Sequence, residues 1–300
     1  MVDGKNALFN QHSAINLHRL VLIGVGLIGG SLALDLKRAG RVAEVVGIDV
    51  DAENLTRAME RRVIDRAATQ INADSVCNAD MIIIATPVNT LPDICRQLAP
   101  YLDEQTIISD VGSTKRLALQ AFANELPQFY GRCVAAHPIA GSDRHGALAA
   151  QFGLFTDKKC IICAHEQQDT GALNMVERMW LTVQAKIYWL EAAKHDEIFA
   201  AVSHLPHMLA YAYVHQLAAC ADAKELLSFA GSGFRDFSRI AASHPQIWTD
   251  ICLANREALN KLLSQQQQEL ACLQRYLQDG DAAALTDFFK TAHKIRANWS

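Results

Sequence analysis

The sequence predicts an α/β chain: a doubly wound, mainly parallel sheet followed by an all-α helical region. Three observations carry that prediction. Short apolar runs alternate with helical patterns from Arg19 to Glu191, as in a sheet with helices on both faces. The apolar strand runs then stop, and long helical patterns fill the chain from Ala192 onward. The first strand run, Leu20-Val21-Leu22-Ile23, leads straight into Gly24-Val25-Gly26-Leu27-Ile28-Gly29 and a helical pattern. That order of strand, glycine turn and helix is the mark of a Rossmann-type fold. The expected organisation is a flexible tail over 1–18, a dinucleotide-binding domain over 19–191 and an all-helical domain over 192–300.

Each glycine has a part in holding a dinucleotide. Gly24 permits the tight turn, Gly26 lets backbone approach a pyrophosphate, and Gly29 lets helix and strand pack closely. Leu27 and Ile28 open the helix whose free N–H groups face the phosphates. A second apolar run, Val45-Val46-Gly47-Ile48, ends at Asp49, twenty positions after Gly29. Its carboxylate can accept hydrogen bonds from both ribose hydroxyls, whereas a 2′-phosphate would be repelled. No Arg or Lys follows before Arg57, so the expected cofactor is NAD rather than NADP.

The remaining strand runs are Met81–Ala85, Thr106–Ser109, Cys133–Ala136, Cys160–Ala164 and Lys186–Leu190. Ligands of an open parallel sheet bind beyond the carboxyl ends of its strands, and three of these ends are polar. In Ile84-Ala85-Thr86-Pro87, Thr86 can bond a cofactor ribose or phosphate while Pro87 fixes the exit; a simple turn is the alternative. In Ser109-Asp110-Val111-Gly112-Ser113, Ser113 faces the cleft or caps the next helix. In Ala136-His137-Pro138-Ile139-Ala140-Gly141-Ser142, His137 ends a buried strand. An imidazole there suits a general base, its proton affinity lying near neutrality; a structural histidine is the alternative. Cys160 and Cys163 have CxxC spacing, but on a strand they point to opposite faces.

In the helical half, Ser203-His204-Leu205-Pro206-His207 sets two imidazoles three apart on one face. No carboxylate or third histidine stands near in sequence, so no metal site is expected. Pro206 would kink its helix. After Gly231-Ser232-Gly233, Arg239 either pairs with Asp236 on the surface or grips a substrate carboxylate. Trp248 either walls the same pocket or belongs to the core. One amphipathic helix is expected from about 246 to 278, with Ile251, Leu259, Leu262, Leu263, Leu270, Leu273 and Leu277 near one stripe.

The 300 residues are half apolar, with a net charge of −4 and no basic block, which argues against nucleic-acid or anionic-membrane partners. Eight scattered cysteines without a secretory signal point to reduced thiols in the cytoplasm. No apolar run is long enough to span a bilayer. A helical domain of about 110 residues buries only part of its surface alone, so a homodimer through the helices is expected.

Taken together, Gly24–Ala33, Ala85–Val88, Ser109–Lys115, His137–Ser142, Ser203–His207 and Gly233–Ala241 resemble, in that order, the motifs of the prephenate dehydrogenase family. The resemblance spans nearly the whole chain after the tail. It implies NAD-dependent oxidative decarboxylation of prephenate to 4-hydroxyphenylpyruvate in tyrosine biosynthesis, at a site between the two domains. By position, His137 resembles the residue holding the ring hydroxyl and Ser113 its hydrogen-bond partner. Arg239 resembles the arginine of the ring carboxylate, His207 the histidine near the substrate side chain, and Trp248 a pocket wall; His204 reads as structural. Ser232 stands where some relatives have glycine. No fused mutase or C-terminal regulatory module is expected, so any tyrosine inhibition would act at the substrate pocket.

Three other readings remain open. An arogenate or dual-specificity cyclohexadienyl dehydrogenase would meet an amino group where prephenate has a keto group, and Asp143 is a candidate acid for it. A 3-hydroxyacid dehydrogenase would need a catalytic lysine, and the context of Lys194 does not match. A non-catalytic NAD-binding sensor would keep Gly24 to Asp49 but need not keep His137 and Arg239.

Overall fold

The computed structural model describes residues 15–141, 144 and 146–299. Ser142, Asp143 and the expected tail up to residue 14 lie outside them. The described residues form one eight-stranded sheet in the order β3-β2-β1-β4-β5-β6-β7-β8. The strands are β1 (Leu17–Ile23), β2 (Val42–Ile48), β3 (Arg66–Ala68), β4 (Met81–Ile84), β5 (Ile107–Asp110), β6 (Cys133–Pro138), β7 (Lys159–Cys163) and β8 (Lys186–Trp189). Pairing is parallel except between β6 and β7. The order reverses between β1 and β4, and the crevice at such a reversal is where ligands of these sheets bind.

Alternating side chains divide the core between the two faces of the sheet. Leu20, Leu22, Met81, Ile83, Val134 and Cys160 face one side. Val21, Ile23, Ile82, Ile84, Cys133 and Cys163 face the other. Cys160 and Cys163 thus lie in separate layers, and both thiols are buried. One layer is closed by α1 (Leu27–Arg38) and α6 (Thr170–Thr182), the other by α4 (Leu91–Leu98) and α5 (Lys115–Glu125). The short α2 (Ala52–Glu60) and α3 (Ala73–Val76) flank the β3 edge.

Two details of the sheet differ from expectation. Strand β1 starts at Leu17 rather than after residue 18, and Ile15 is buried. The reason is pairing: Leu17 aligns with Val42, and the N–H groups of His18 and Arg19 donate to Asp80 at 2.6 and 2.8 Å. Strand β3 was not anticipated, because Arg66-Ala67-Ala68 carries no apolar bulk and backbone pairing to β2 alone defines it.

The helical half comprises α7 (Ala192–Phe199), α8 (Leu205–Ala218), α9 (Ala223–Ser228), α10 (Ser232–Ser238), α11 (Pro245–Ala254), α12 (Arg256–Asp279) and α13 (Ala282–Ala297). A π-helical segment, Ala200–His204, joins α7 to α8. Pro206 lies two residues past the π-helical segment and cannot donate to the preceding turn; the expected kink takes the form of that wide turn. The single helix expected over 246–278 is two helices. Asn255 leaves helical geometry (φ −112°, ψ 26°) between α11 and α12. Its amide donates to the Asp196 carbonyl at 2.8 Å and lies 3.2 Å from Nδ1 of His204. A buried polar bond is thereby exchanged for continuity of the helix.

Candidate active site between the sheet and the helices

The glycine turn presses against the end of β4. Gly24 has φ +89°, and a Cβ there would lie 2.5 Å from the Ala85 carbonyl oxygen and 2.9 Å from Thr86 Cγ2. Gly26 is the reverse case: a Cβ would meet nothing within 4 Å. It caps α1 without a side-chain acceptor, so the first N–H groups of the helix are open to an incoming anion. Leu27 is buried and anchors this turn; Ile28 is half-buried. At Gly29 a Cβ would stand 2.6 Å from Leu22 Cδ1, so only glycine permits the close packing of α1 on β1.

Asp49 follows β2 directly. Its Oδ2 accepts from Val25 N–H at 3.0 Å and from the Asn54 amide at 3.1 Å, and its Oδ1 from Asp51 N–H at 3.0 Å. A carboxylate offers about four lone-pair positions, so acceptor capacity remains for a ribose hydroxyl. Across the turn, the hydroxyls of Thr86 and Thr90 share a hydrogen bond at 2.8 Å, and Thr90 also reaches the Pro87 carbonyl. Glycine turn, bare helix end and terminal carboxylate together fit a dinucleotide.

Beyond the carboxyl ends of β5 and β6 lies a buried polar cluster. Nδ1 of His137, near the end of β6, is 2.9 Å from Nε2 of His195 on α7. Nδ1 of His195 is 2.8 Å from Oδ1 of Asp196. The Asp196 carboxylate also accepts the Lys115 and Arg116 N–H groups, at 2.8 and 3.0 Å, and so caps α5 from another helix. Beneath them Lys115, wholly buried, donates to the Asp110 carboxylate and, at 2.6 Å, to the Ala136 carbonyl. That pair fixes the backbone directly before His137. Phe199 covers the two imidazoles, with centroids 4.9 Å from His137 and 4.5 Å from His195.

Burial, reinforced by His195 and Lys115, holds His137 well below the ordinary imidazole range, so it is neutral at physiological pH. Burial also lowers His195, against the opposing bond from Asp196. Burial brings His204 down to about 4. For Asp196, burial opposes ionisation, but the hydrogen bonds from His195, Lys115 and Arg116 prevail and keep it a carboxylate.

A second wall rises from the helices. His207 stacks on Trp248 of α11, with centroids 3.5 Å apart, and His204 meets the same indole edge-on at 6.1 Å. Nδ1 of His207 bonds the Ser203 carbonyl at 2.9 Å. Burial lowers the His207 pKa, and the nearby Arg239 guanidinium lowers it further. Arg239 opens a 3-10 turn, Arg239–Ala242, held to α8 where Tyr211 Oη donates to the Ser243 carbonyl at 2.5 Å. After burial, His204 disfavours the charged form of His137, His207 that of His204, and Arg239 that of His207. Ser113 is half-buried just past β5, one residue before the N-cap of α5. The capping task belongs to Asp196, and the Ser113 hydroxyl makes no hydrogen bond to a described residue. Among the described residues no group of three or more His, Cys, Asp or Glu side chains is arranged so that it could hold a metal ion.

Sequence reasoning passed over His195, Asp196, Asp250 and Asn255. Asp250, buried on α11, accepts from Asn89 at 3.0 Å and ties the loop after β4 to the helices. One signal was available: Ala192, His195 and Phe199 fall at i, i+3 and i+7, which puts a histidine on the buried stripe of its helix.

Comparison with known proteins places both halves of the chain in one family. Residues 32–189 match a family described as prephenate dehydrogenase, nucleotide-binding domain, and residues 191–291 one described as prephenate dehydrogenase, dimerization domain. A prephenate dehydrogenase of Bacillus subtilis is 33% identical over 92% of this chain and 75% of its own length. A cyclohexadienyl dehydrogenase of Zymomonas mobilis is 29% identical, over 92% and 94%. Among solved structures, prephenate dehydrogenase from A. aeolicus in complex with hydroxyphenyl propionate and NAD+ superposes with a TM-score of 0.88. Its identity is 29%, covering 96% of this chain and all of that one.

Proposed function

The chain belongs to the prephenate dehydrogenase family, and from that premise we propose that it oxidises and decarboxylates prephenate to 4-hydroxyphenylpyruvate, a step of tyrosine biosynthesis. The observation that carries this reading is the imidazole of His137, half-buried at the carboxyl end of β6 beside a dinucleotide crevice, with its Nδ1 held 2.9 Å from His195 Nε2. Gly24, Gly26, Leu27, Ile28, Gly29 and Asp49, with Thr86 and Pro87 opposite, would hold NAD, which would supply a hydride acceptor for the carbinol carbon. His137 takes the hydroxyl proton as that carbon becomes a carbonyl. The ring carboxylate then leaves as carbon dioxide, the ring becomes aromatic, and the phenolic oxygen recovers its proton from His137. Ser113 steadies the substrate hydroxyl, while His195 rather than Ser113 holds the His137 imidazole. Arg239 orients the carboxylate, since a guanidinium grips one bidentately. His207 and Trp248 bound the side-chain end.

Aromatisation drives the chemistry, so the protein's contribution is placement of groups and charges. A spectrophotometric assay crossing prephenate and arogenate with NAD and NADP tests the reading. NADH formed fastest from prephenate supports it. Arogenate as the better substrate would move the assignment to an arogenate enzyme, and NAD binding without turnover of either would make the chain a sensor.

The helical half supports a homodimer. Phe229, Leu253, Leu270, Leu277, Phe289 and Ile295 are more than half exposed, and its own buried apolar cluster is small, comprising Ala200, Leu205 and Leu259. Apolar surface of that extent calls for a covering partner; a second copy is the partner proposed, with a doubled mass in sedimentation as the test. The eight free cysteines accord with a cytoplasmic location.

A further inference from the structure

We propose that His195 and Asp196 form a positioning relay that keeps the proton of His137 on Nδ1 and leaves its Nε2 bare for the substrate hydroxyl. The inference rests on the reading of His137 as the base, and it adds two residues to that site.

The hydrogen-bond directions follow from one end of the chain of contacts. Asp196 is a carboxylate and can only accept. Nδ1 of His195, 2.8 Å away, therefore carries a hydrogen. His195 is buried and neutral, so its Nε2 is bare and accepts. Nδ1 of His137, 2.9 Å from that Nε2, must then be the donor. His137 is itself neutral, which leaves Nε2 without a proton, and no described residue hydrogen-bonds to it. The opposite tautomer of His137 would set two bare nitrogens 2.9 Å apart with nothing between them. In this way the tautomer of a catalytic histidine is set by the bond its other nitrogen makes.

The surroundings hold the relay rigid. Asp196 is fixed by the Lys115 and Arg116 amides, its carbonyl by Asn255, and Phe199 lies against both rings. Asp110 and Lys115 on the sheet side are paired with each other, and His204 on the helical side is bonded to Asn255. No competing donor or acceptor among them reaches His137. When Nε2 takes the substrate proton, the resulting imidazolium still donates from Nδ1 to His195, and the Asp196 carboxylate two bonds away favours the new charge.

The test combines 15N NMR of histidine-labelled protein, assigned through His137→Asn, with steady-state kinetics. In the unmodified protein His137 should give a protonated Nδ1 and an unprotonated Nε2. In His195→Leu the proton should move at least partly to Nε2. There kcat should fall by about tenfold or more, inside the 10²–10⁴-fold worth of a general base, with KM for both substrates within about threefold. His195→Gln retains an acceptor and should recover most of the loss. A protonated Nε2 in the unmodified protein overturns the proposal, as does a His195→Leu protein with kcat within about twofold of the parent. Should His195→Leu not fold, the unmodified spectrum and His195→Gln decide. The expected tautomer in a protein inactive on prephenate and arogenate would sink the assigned function while leaving the relay intact.

Discussion

The imidazole of His207 lies flat on the indole of Trp248, their centroids 3.5 Å apart and their planes inclined by 17°. One residue comes from α8 and the other from α11, so the stack joins two helices into one wall. Such a pair contributes about 0.5–1.5 kcal/mol beyond its buried area. Trp248→Leu should raise KM for prephenate by roughly two- to tenfold and leave KM for NAD unchanged. Steady-state kinetics decide; an unaltered prephenate KM would return Trp248 to the core.

Arg239 tests the anion-binding end. Charge-assisted hydrogen bonds contribute about 1.5–3 kcal/mol, so Arg239→Gln should raise KM for prephenate by roughly 10- to 100-fold with a smaller change in kcat. A KM that barely moves would make Arg239 a surface residue.

Asp49 tests the choice of cofactor. Asp49→Ser removes the acceptor of a ribose hydroxyl and the repulsion of a 2′-phosphate. The ratio of kcat/KM for NAD over NADP should fall by roughly tenfold or more. Equal use of both cofactors by the unmodified protein would contradict the role given to this carboxylate.

The buried histidines predict a pH-dependent stability. His137, His195 and His204 are all held below the ordinary value of 6.5, His204 at about 4. On unfolding they regain that ordinary value, so the unfolded chain binds more protons and stability rises with pH. Their contribution is complete above about 6.5 and is lost as pH falls toward 4. Tm should already decline between pH 6.5 and 5, before most carboxylates titrate. A constant Tm across that interval would show that these imidazoles are hydrated in the folded protein.

How much of this was legible depends on the range of the interactions. The cofactor crevice was readable because strand, glycine turn, helix and Asp49 follow one another within thirty residues, and each step is a local backbone requirement. The places of His137 and Ser113 at neighbouring strand ends were readable because strand ends in a parallel sheet converge by topology. His195 and Asp196 were not, since their importance comes from partners at residues 115, 116 and 137, far away in sequence. The break at Asn255 was hidden likewise: the leucine stripe on either side is helical, and only the bond to Asp196 rewards leaving the helix. Strand β3 escaped because edge pairing asks little of its side chains.

The central claim is that His137 removes the substrate hydroxyl proton, and His137→Asn measures it most directly. The account predicts a kcat lower by about 10²–10⁴-fold, with the dissociation constants of prephenate and NAD changed by no more than a few-fold. A variant that turns over prephenate at the parental rate would contradict it.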